Sequence, residues 1–288
     1  MSRFVKRMAH VALRVPDLDA SVAWATTVLG LRESERVDGH AYLTHGSCHH
    51  SLEYIASDRA ALDHVAMEAH DDAALDALGA ALDAHGIAYE ETAERAVRRA
   101  LRFRGAEGHL FEVIVGMECE EPPFTATGVP TRRFGHPTIT CGDTDGARRM
   151  FEEVLDFRLS DEIGDGLLFF LRCNAEHHGV GIQKGAPGLN HYAWGVESLS
   201  VLGLLGDTLA RNGGRFIWGP GRHGAGRNLF TYHFDPAGAV VEVYADMLHV
   251  LDEAGYVPGR WPLDDHRGQN LWGPTTPPEL IEAFTPLA

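Results

Sequence analysis

Apolar and polar positions along this chain switch between two periods, and the switching repeats. MAHVALRVPDLDASVAWATTVLGLRESE, from Met8, opens on an alternating run that begins with a histidine. It passes an acidic turn, enters a stretch with apolar residues three and four apart, and then alternates again. FGHPTITCGDTDGARRMFEEVLDFRLSD, from Phe134, follows the same order. LDHVAMEAHDDAALDALGAALDAHGIAYE, from Leu62, pairs likewise with LNHYAWGVESLSVLGLLGDTLARNGGRFI, from Leu189. Alternation predicts strands and the longer period predicts helices. Leu199, Leu202, Leu205 and Leu209 make one helical stripe, and Leu75, Leu78 and Leu82 make its counterpart. Each predicted helix follows an Asp- or Ser-bearing turn suited to capping. The Gly-broken stretches after the helices, such as HAYLTHGSCHHSLEYI and GDGLLFFLRCNAEHHGVGIQ, predict antiparallel strands.

The pattern therefore predicts an α+β chain of four βαβββ modules, each of about 50 residues, a period that signals internal repetition. Two modules make an N-terminal domain, residues 1–118, and two a C-terminal domain, residues 133–250. The Pro-bearing segment 119–132 predicts a linker. From residue 251 to 288 the periodicity fades into a tail carrying Tyr256, Trp261 and Trp272.

Composition narrows the function. The chain has 288 residues, 44% of them hydrophobic and 23% charged, as in an ordinary globular protein. Lys and Arg number 25 against 41 Asp and Glu, a formal charge of -16. Such a chain repels phosphate backbones, so nucleic acid is excluded as a partner. The densest basic cluster, Arg95, Arg98, Arg99, Arg102 and Arg104, sits among acidic neighbours. No apolar run is long enough to span a membrane, and the first residues lack the apolar stretch of a signal peptide. Cys48, Cys119, Cys141 and Cys173 are scattered, which predicts free, mostly buried thiols in a reducing cytoplasm.

Histidine is the unusual residue, with 17 copies. His136 opens the third module and His191 the fourth, while Glu242 lies on the last strand in AVVEVYAD. If the two modules form halves of one cup, two imidazoles and a carboxylate converge and leave other positions open. That is the donor set of non-haem Fe(II) oxygenases. A single histidine at a strand start is more often structural; three groups at matched repeat positions weigh against that. GRHGAGRNLFTYHFDPAGAVVE adds His223 and Tyr232. Tyr232 and Glu242 flank the turn DPAG, and a hairpin there sets them opposite each other.

With this segment the chain strongly resembles the type I extradiol catechol dioxygenases of the vicinal-oxygen-chelate superfamily, over about 280 residues. Thr231 stands where a hydrophobic residue is usual. The resemblance implies two tandem cup-shaped vicinal-oxygen-chelate domains. It places the metal ligands on His136, His191 and Glu242, with Fe(II), or Mn(II), as the cofactor. It places an acid–base histidine in CNAEHHGVGIQ, where His177 and His178 are both candidates and the spacing favours His177. It gives His223 and Tyr232 to the substrate and oxygen. The implied reaction is cleavage of a catechol ring beside its diol by O2, in a homo-oligomer, most often a tetramer.

GPGRHG and DDHRGQNLWG look most like the homoprotocatechuate 2,3-dioxygenase branch, whose members clamp a carboxylate with two arginines. Trp218 and Gln269 stand at those two places. Neither supplies a guanidinium fork, so a neutral or aromatic substituent is expected, with Trp218 and Phe169 or Phe170 lining an apolar pocket. Arg267 could enter if the tail shifts. The rival functions are a glyoxalase-type isomerase, a thiol transferase or a ligand-sequestering binding protein. In the N-terminal half, His10, His64 and Glu112 match the triad and His49–His50 match His177–His178. At the places of Tyr232 and His223, however, stand Arg102 and Ala93. An Arg102–Glu112 ion pair and packed, neutral His10 and His64 are expected there, without catalysis.

Overall fold

A computed structural model describes residues 1–121 and 128–288; residues 122–127 of the predicted linker lie outside the described residues. The first module contains β1 (Val5–Val15), α1 (Leu18–Thr27), β2 (Arg32–Val37), β3 (His40–Thr44) and β4 (Leu52–Ala56). The second contains β5 (Ala61–Ala69), α2 (Asp72–Ala84), β6 (Tyr89–Thr92), β7 (Val97–Arg104) and β8 (Leu110–Met117). The third runs β9 (Arg133–Cys141), α3 (Thr144–Arg149), β10 (Arg158–Ile163), β11 (Leu168–Arg172) and β12 (Val180–Lys184). The fourth runs β13 (Gly188–Gly195), α4 (Leu199–Arg211), β14 (Trp218–Arg222), β15 (Leu229–Phe234) and β16 (Val240–Ala245). All four modules are βαβββ, as the periodicity predicts.

Each pair of modules shares one sheet. The N-terminal order is β2-β3-β4-β1-β5-β8-β7-β6, and the C-terminal sheet repeats it with β13 and β9 at the centre. The opening strands of paired modules lie side by side, β1 against β5 and β9 against β13, both antiparallel. That central pairing brings the opening histidines together, and β16, parallel to β13, adds the carboxylate.

The helices form where capping and apolar spacing agree. The Asp17, Asp71 and Asp143 side chains each accept from a backbone N–H in the first turn of their helix, satisfying donors a helix start leaves bare. A π-helical turn, Met150–Val154, continues α3. Leu75, Leu78 and Leu82 of α2 are fully buried, as are Leu202 and Leu205 of α4. Leu199, the first member of the expected stripe, is half exposed instead, because it sits at the first position of the helix, beyond the sheet it covers.

The tail is more structured than its composition predicts. It adds β17 (Gly259–Trp261) beside β10, α5 (Pro278–Ile281), and β18 (Thr285–Pro286) beside β13. Tyr256 and Trp261 do not wait for a partner: Tyr256 donates to the Ser160 carbonyl and Trp261 Nε1 to Asp161 Oδ2. Trp272 is the one of the three left half exposed. The cysteines also divide: Cys141 and Cys173 are buried, Cys48 is half buried and Cys119 is exposed.

Candidate metal centre

Register puts three donors at one point. His136 faces Ala193 across the β9–β13 pair, and Ala193 in turn faces Glu242 across β13–β16. His191 sits two residues earlier on β13, so it shares the face of Ala193. His136 Nε2 lies 3.0 Å from Glu242 Oε2, and His191 Nε2 lies 3.3 Å from the same oxygen. Donors held 2.0–2.3 Å from a common ion at right angles are about 3 Å apart, so the trio has the spacing of a facial ligand set.

The surroundings point the same way. All three residues are buried. His191 Nδ1 lies 2.7 Å from Asn190 Oδ1; donating there fixes the tautomer that leaves the Nε2 lone pair free. That Nε2 has no hydrogen-bond partner among the described residues, an orphan that a bound ion would satisfy. Asn228 Nδ2 donates to Glu242 Oε1 at 3.0 Å and leaves Oε2 toward the histidines. Burial alone would raise the Glu242 carboxyl; the His136 and His191 imidazoles outweigh it and hold it well below its ordinary value. Burial lowers His136 and keeps it an imidazole base. Two imidazoles and one carboxylate suit Fe(II) or Mn(II).

Tyr232 faces Glu242 directly across the β15–β16 hairpin, as the DPAG turn predicts. His223 Nε2 lies 3.1 Å from the Tyr232 hydroxyl, and His223 Nδ1 is held by the Gln269 carbonyl of the tail. Burial, reinforced by Glu242, pushes the Tyr232 phenol well up, and burial lowers His223 to about 4. The pair is therefore a neutral hydroxyl and a neutral ring.

The spacing argument for His177 fails. His178 lines the cavity beside the triad, with Nε2 3.3 Å from His136 Nε2. His177 turns away, its Nε2 3.4 Å from Asp161. The reason is local: the chain between β11 and β12 is a turn and an isolated bridge, so counting along a regular strand does not fix which residue faces inward. Burial, then the His136 and His177 rings, lower His178 well below its ordinary value.

A cavity of about 330 Å³ opens over the donors. Trp218, Phe170 and Gln269 line it. Trp218 stands opposite Tyr232 and stacks on its ring, 5.4 Å between centroids. Phe169 does not line the cavity; it lies under the Arg148 guanidinium. Arg267 does not reach it either: the side chain is 66% exposed and forks onto Asp265 two residues away. Gln269 is engaged with Thr276 of the tail. Sequence reasoning missed Ile163, Leu167, Leu168, Leu263, Leu280 and Ile281, which make the cavity apolar, and the cation Lys184 at its lining. It also passed over Asn190 and Asn228, although each lies beside or within a segment that carries a ligand.

The N-terminal cup has a different interior. Arg102 faces Glu112 across β7–β8 and pairs with it, and with Glu94 as well. His10 Nε2 and His64 Nε2 are 3.0 Å apart. Glu53 on β4 joins them, its donor atom within 4.8 Å of theirs. Burial lowers His10 well below its usual value. At His64 burial opposes, but Asp63 and Glu112 outweigh it and raise the ring above its ordinary value.

The chain matches the model of the Glyoxalase/Bleomycin resistance protein/Dioxygenase superfamily over residues 7–113 and 133–243, and it belongs to that family. It is 23% identical to a manganese-dependent 2,3-dihydroxybiphenyl 1,2-dioxygenase of Geobacillus genomosp. 3, over 96% of this chain and 97% of the relative. It is 25% identical to an iron-dependent extradiol dioxygenase of Rhodococcus jostii, over 93% and 96%. Among solved structures, the Mn(II)-bound glyoxalase from Novosphingobium aromaticivorans superposes with a TM-score of 0.88 at 29% identity, covering 97% of this chain and 94% of that one. Homoprotocatechuate 2,3-dioxygenase from Brevibacterium fuscum superposes with 0.89 at 22% identity, covering 98% and 93%.

Two substitutions separate donor from support. His136→Ala should leave a folded chain that retains no divalent metal after gel filtration, read by elemental analysis. Asn228→Ala should keep the metal but weaken its affinity roughly 10–100-fold, and unchanged affinity would show that Asn228 does not orient the carboxylate.

Proposed function

We propose that this chain is a metal-dependent extradiol ring-cleaving dioxygenase that inserts both atoms of O2 into a catechol. The observation that carries the reading is the His136–His191–Glu242 set beneath a cavity bordered by His178, His223 and Tyr232. A glyoxalase-type isomerase or thiol transferase needs a metal but not that neutral hydroxyl–imidazole pair, and a sequestering protein needs neither. Two of the similar proteins are dioxygenases, one manganese- and one iron-dependent. We assign Fe(II), with Mn(II) as the competing ion.

His136, His191 and Glu242 would hold the ion, leaving adjacent positions at which a divalent metal supplies Lewis acidity to the two catechol oxygens and a route for electrons to O2. The chain's own residues do the rest. His178, unprotonated and buried beside His136, takes a hydroxyl proton as the catechol binds and returns it as the ring opens. Tyr232 and His223 present a fixed O–H and imidazole where negative charge develops on oxygen. Trp218, Phe170 and the leucine and isoleucine lining exclude water and stack on the substrate ring. The setting is a catabolic enzyme of the cytoplasm.

Oxygen uptake tests the activity. Anaerobically purified, Fe(II)-loaded protein mixed with simple catechols in air should consume O2 and release a yellow ring-opened product; absence of both would overturn the assignment. The pocket predicts the substituent. With Trp218 and Gln269 in place of a carboxylate clamp, 3- or 4-alkyl and aryl catechols should exceed homoprotocatechuate in kcat/KM by about tenfold or more, since an unmatched buried charge costs roughly 2–5 kcal/mol. Equal turnover of the acid would assign Lys184 as its partner.

We infer that residues 1–118 form a non-catalytic domain. The Arg102 cation occupies the place of Tyr232 and engages Glu112, and Ala93 replaces His223. Metal analysis of fully loaded protein should give one equivalent per chain, and His10→Ala should leave kcat unchanged; two equivalents would overturn this. The tail leaves Leu251 and Val257 each 82% exposed and Trp272 half exposed, apolar surface that supports a homo-oligomer, most simply a tetramer. Light scattering near 31.5 kDa at micromolar concentration would show a monomer instead.

A further inference from the structure

Cys48 and Cys119 are 71 positions apart in sequence and meet in space. Cys48 lies in the β3–β4 turn and Cys119 two residues past β8, where the chain leaves the N-terminal sheet. His49 N–H donates to the Glu118 carbonyl and Glu120 N–H to the Ser47 carbonyl, both at 2.8 Å. The two cysteines are thus an antiparallel bridge whose neighbours, not themselves, exchange the hydrogen bonds. In such a pair the Cα atoms stand about 4.5 Å apart and the side chains lean together. A disulfide accepts Cα separations of about 4.4–6.8 Å, so the backbone already has the required spacing. The sulfurs face each other at 2.7 Å.

The surroundings suit oxidation. Cys119 is exposed and Cys48 half buried, so a small oxidant reaches the pair. Arg7 Nη2 points at Cys48 Sγ from 3.7 Å, so a cation stands beside that sulfur. Burial and the Cys48 neighbour push the Cys119 thiol up to about 11, which casts Cys119 as the second thiol to react. Cys141 and Cys173 are buried in the other domain and have no cysteine beside them among the described residues.

We propose that Cys48 and Cys119 form a reversible redox clasp, an intramolecular disulfide made under peroxide that ties the start of the interdomain segment to the β3–β4 turn. The Cys48 thiolate attacks hydrogen peroxide; an S–O bond forms, the O–O bond breaks, and hydroxide leaves and takes a proton to become water. The Cys119 thiolate then attacks the Cys48 sulfur; the S–S bond forms, the S–O bond breaks, and a second water leaves. Two thiols lose two electrons and two protons, and the peroxide is reduced to two waters. A thiol reductant reverses the link by exchange. Intracellular disulfides are mostly of this transient kind.

The test uses the whole reduced chain, freed of reductant and given a few equivalents of hydrogen peroxide. The products are alkylated, digested without reduction and read by mass spectrometry. The expected result is one linked peptide pair, Cys48 with Cys119, two hydrogens lighter than its parts, with Cys141 and Cys173 alkylated only after denaturation. Dithiothreitol should restore both thiols. Cys48→Ser and Cys119→Ser should each abolish the link, and Cys119→Ser should accumulate a dimedone-trappable sulfenic acid at Cys48. The linked chain should melt several degrees above the reduced one, because closing a long loop restricts the unfolded state. Two thiols that remain free, chains linked to each other on a non-reducing gel, or Cys48 driven to sulfinic acid without a link would each overturn the proposal.

Discussion

One buried carboxylate sets the terms for the C-terminal domain. Glu242 is 1% exposed, and an ionised carboxylate in that position is costly unless charges and donors surround it. The fold surrounds it on every side: two imidazoles at Oε2, the Asn228 amide at Oε1, and the Tyr232 hydroxyl across the hairpin. Each comes from a different strand or from the turn that leads into one. The sheet must therefore close into a cup for the carboxylate to stay charged, and the same closure gathers an open-sided donor set for a divalent ion. Stability of the fold and chemistry of the site rest on one arrangement.

The N-terminal cup shows how the same constraint is met another way. Glu112 is just as buried, but a guanidinium from the facing strand neutralises it. A fixed internal cation performs there what an exchangeable metal would perform at Glu242. The two cups share the topology and the opening histidines and differ in the residue opposite the glutamate. Arg102 pairs with Glu112, whereas Tyr232 faces Glu242 with a hydroxyl.

The tail supplies part of the C-terminal cup. Gln269 holds His223 through its carbonyl, and Leu263, Leu280 and Ile281 supply part of the cavity wall. Arg267, which a shifted tail could bring to the cavity, is instead satisfied by Asp265 at the surface. The cavity is consequently mostly apolar above the donors, and the cation at its lining is Lys184 on β12.

The order of the modules and the Tyr232–Glu242 register were legible in the sequence because they depend on local periods: alternation, helical spacing and a tight hairpin. Such signals lie within a few residues of each other, and so the strand faces follow from counting. The Arg102–Glu112 pair was legible for the same reason. Counting failed where the backbone leaves the regular period. His178 faces the cavity, and not His177, because the approach to β12 is a turn. The cavity walls, the role of Asn228, the inward fold of the tail and the meeting of Cys48 with Cys119 join residues remote in sequence. Their distances are set by how sheets curl and close, which no local pattern encodes, and only the tertiary structure decided them.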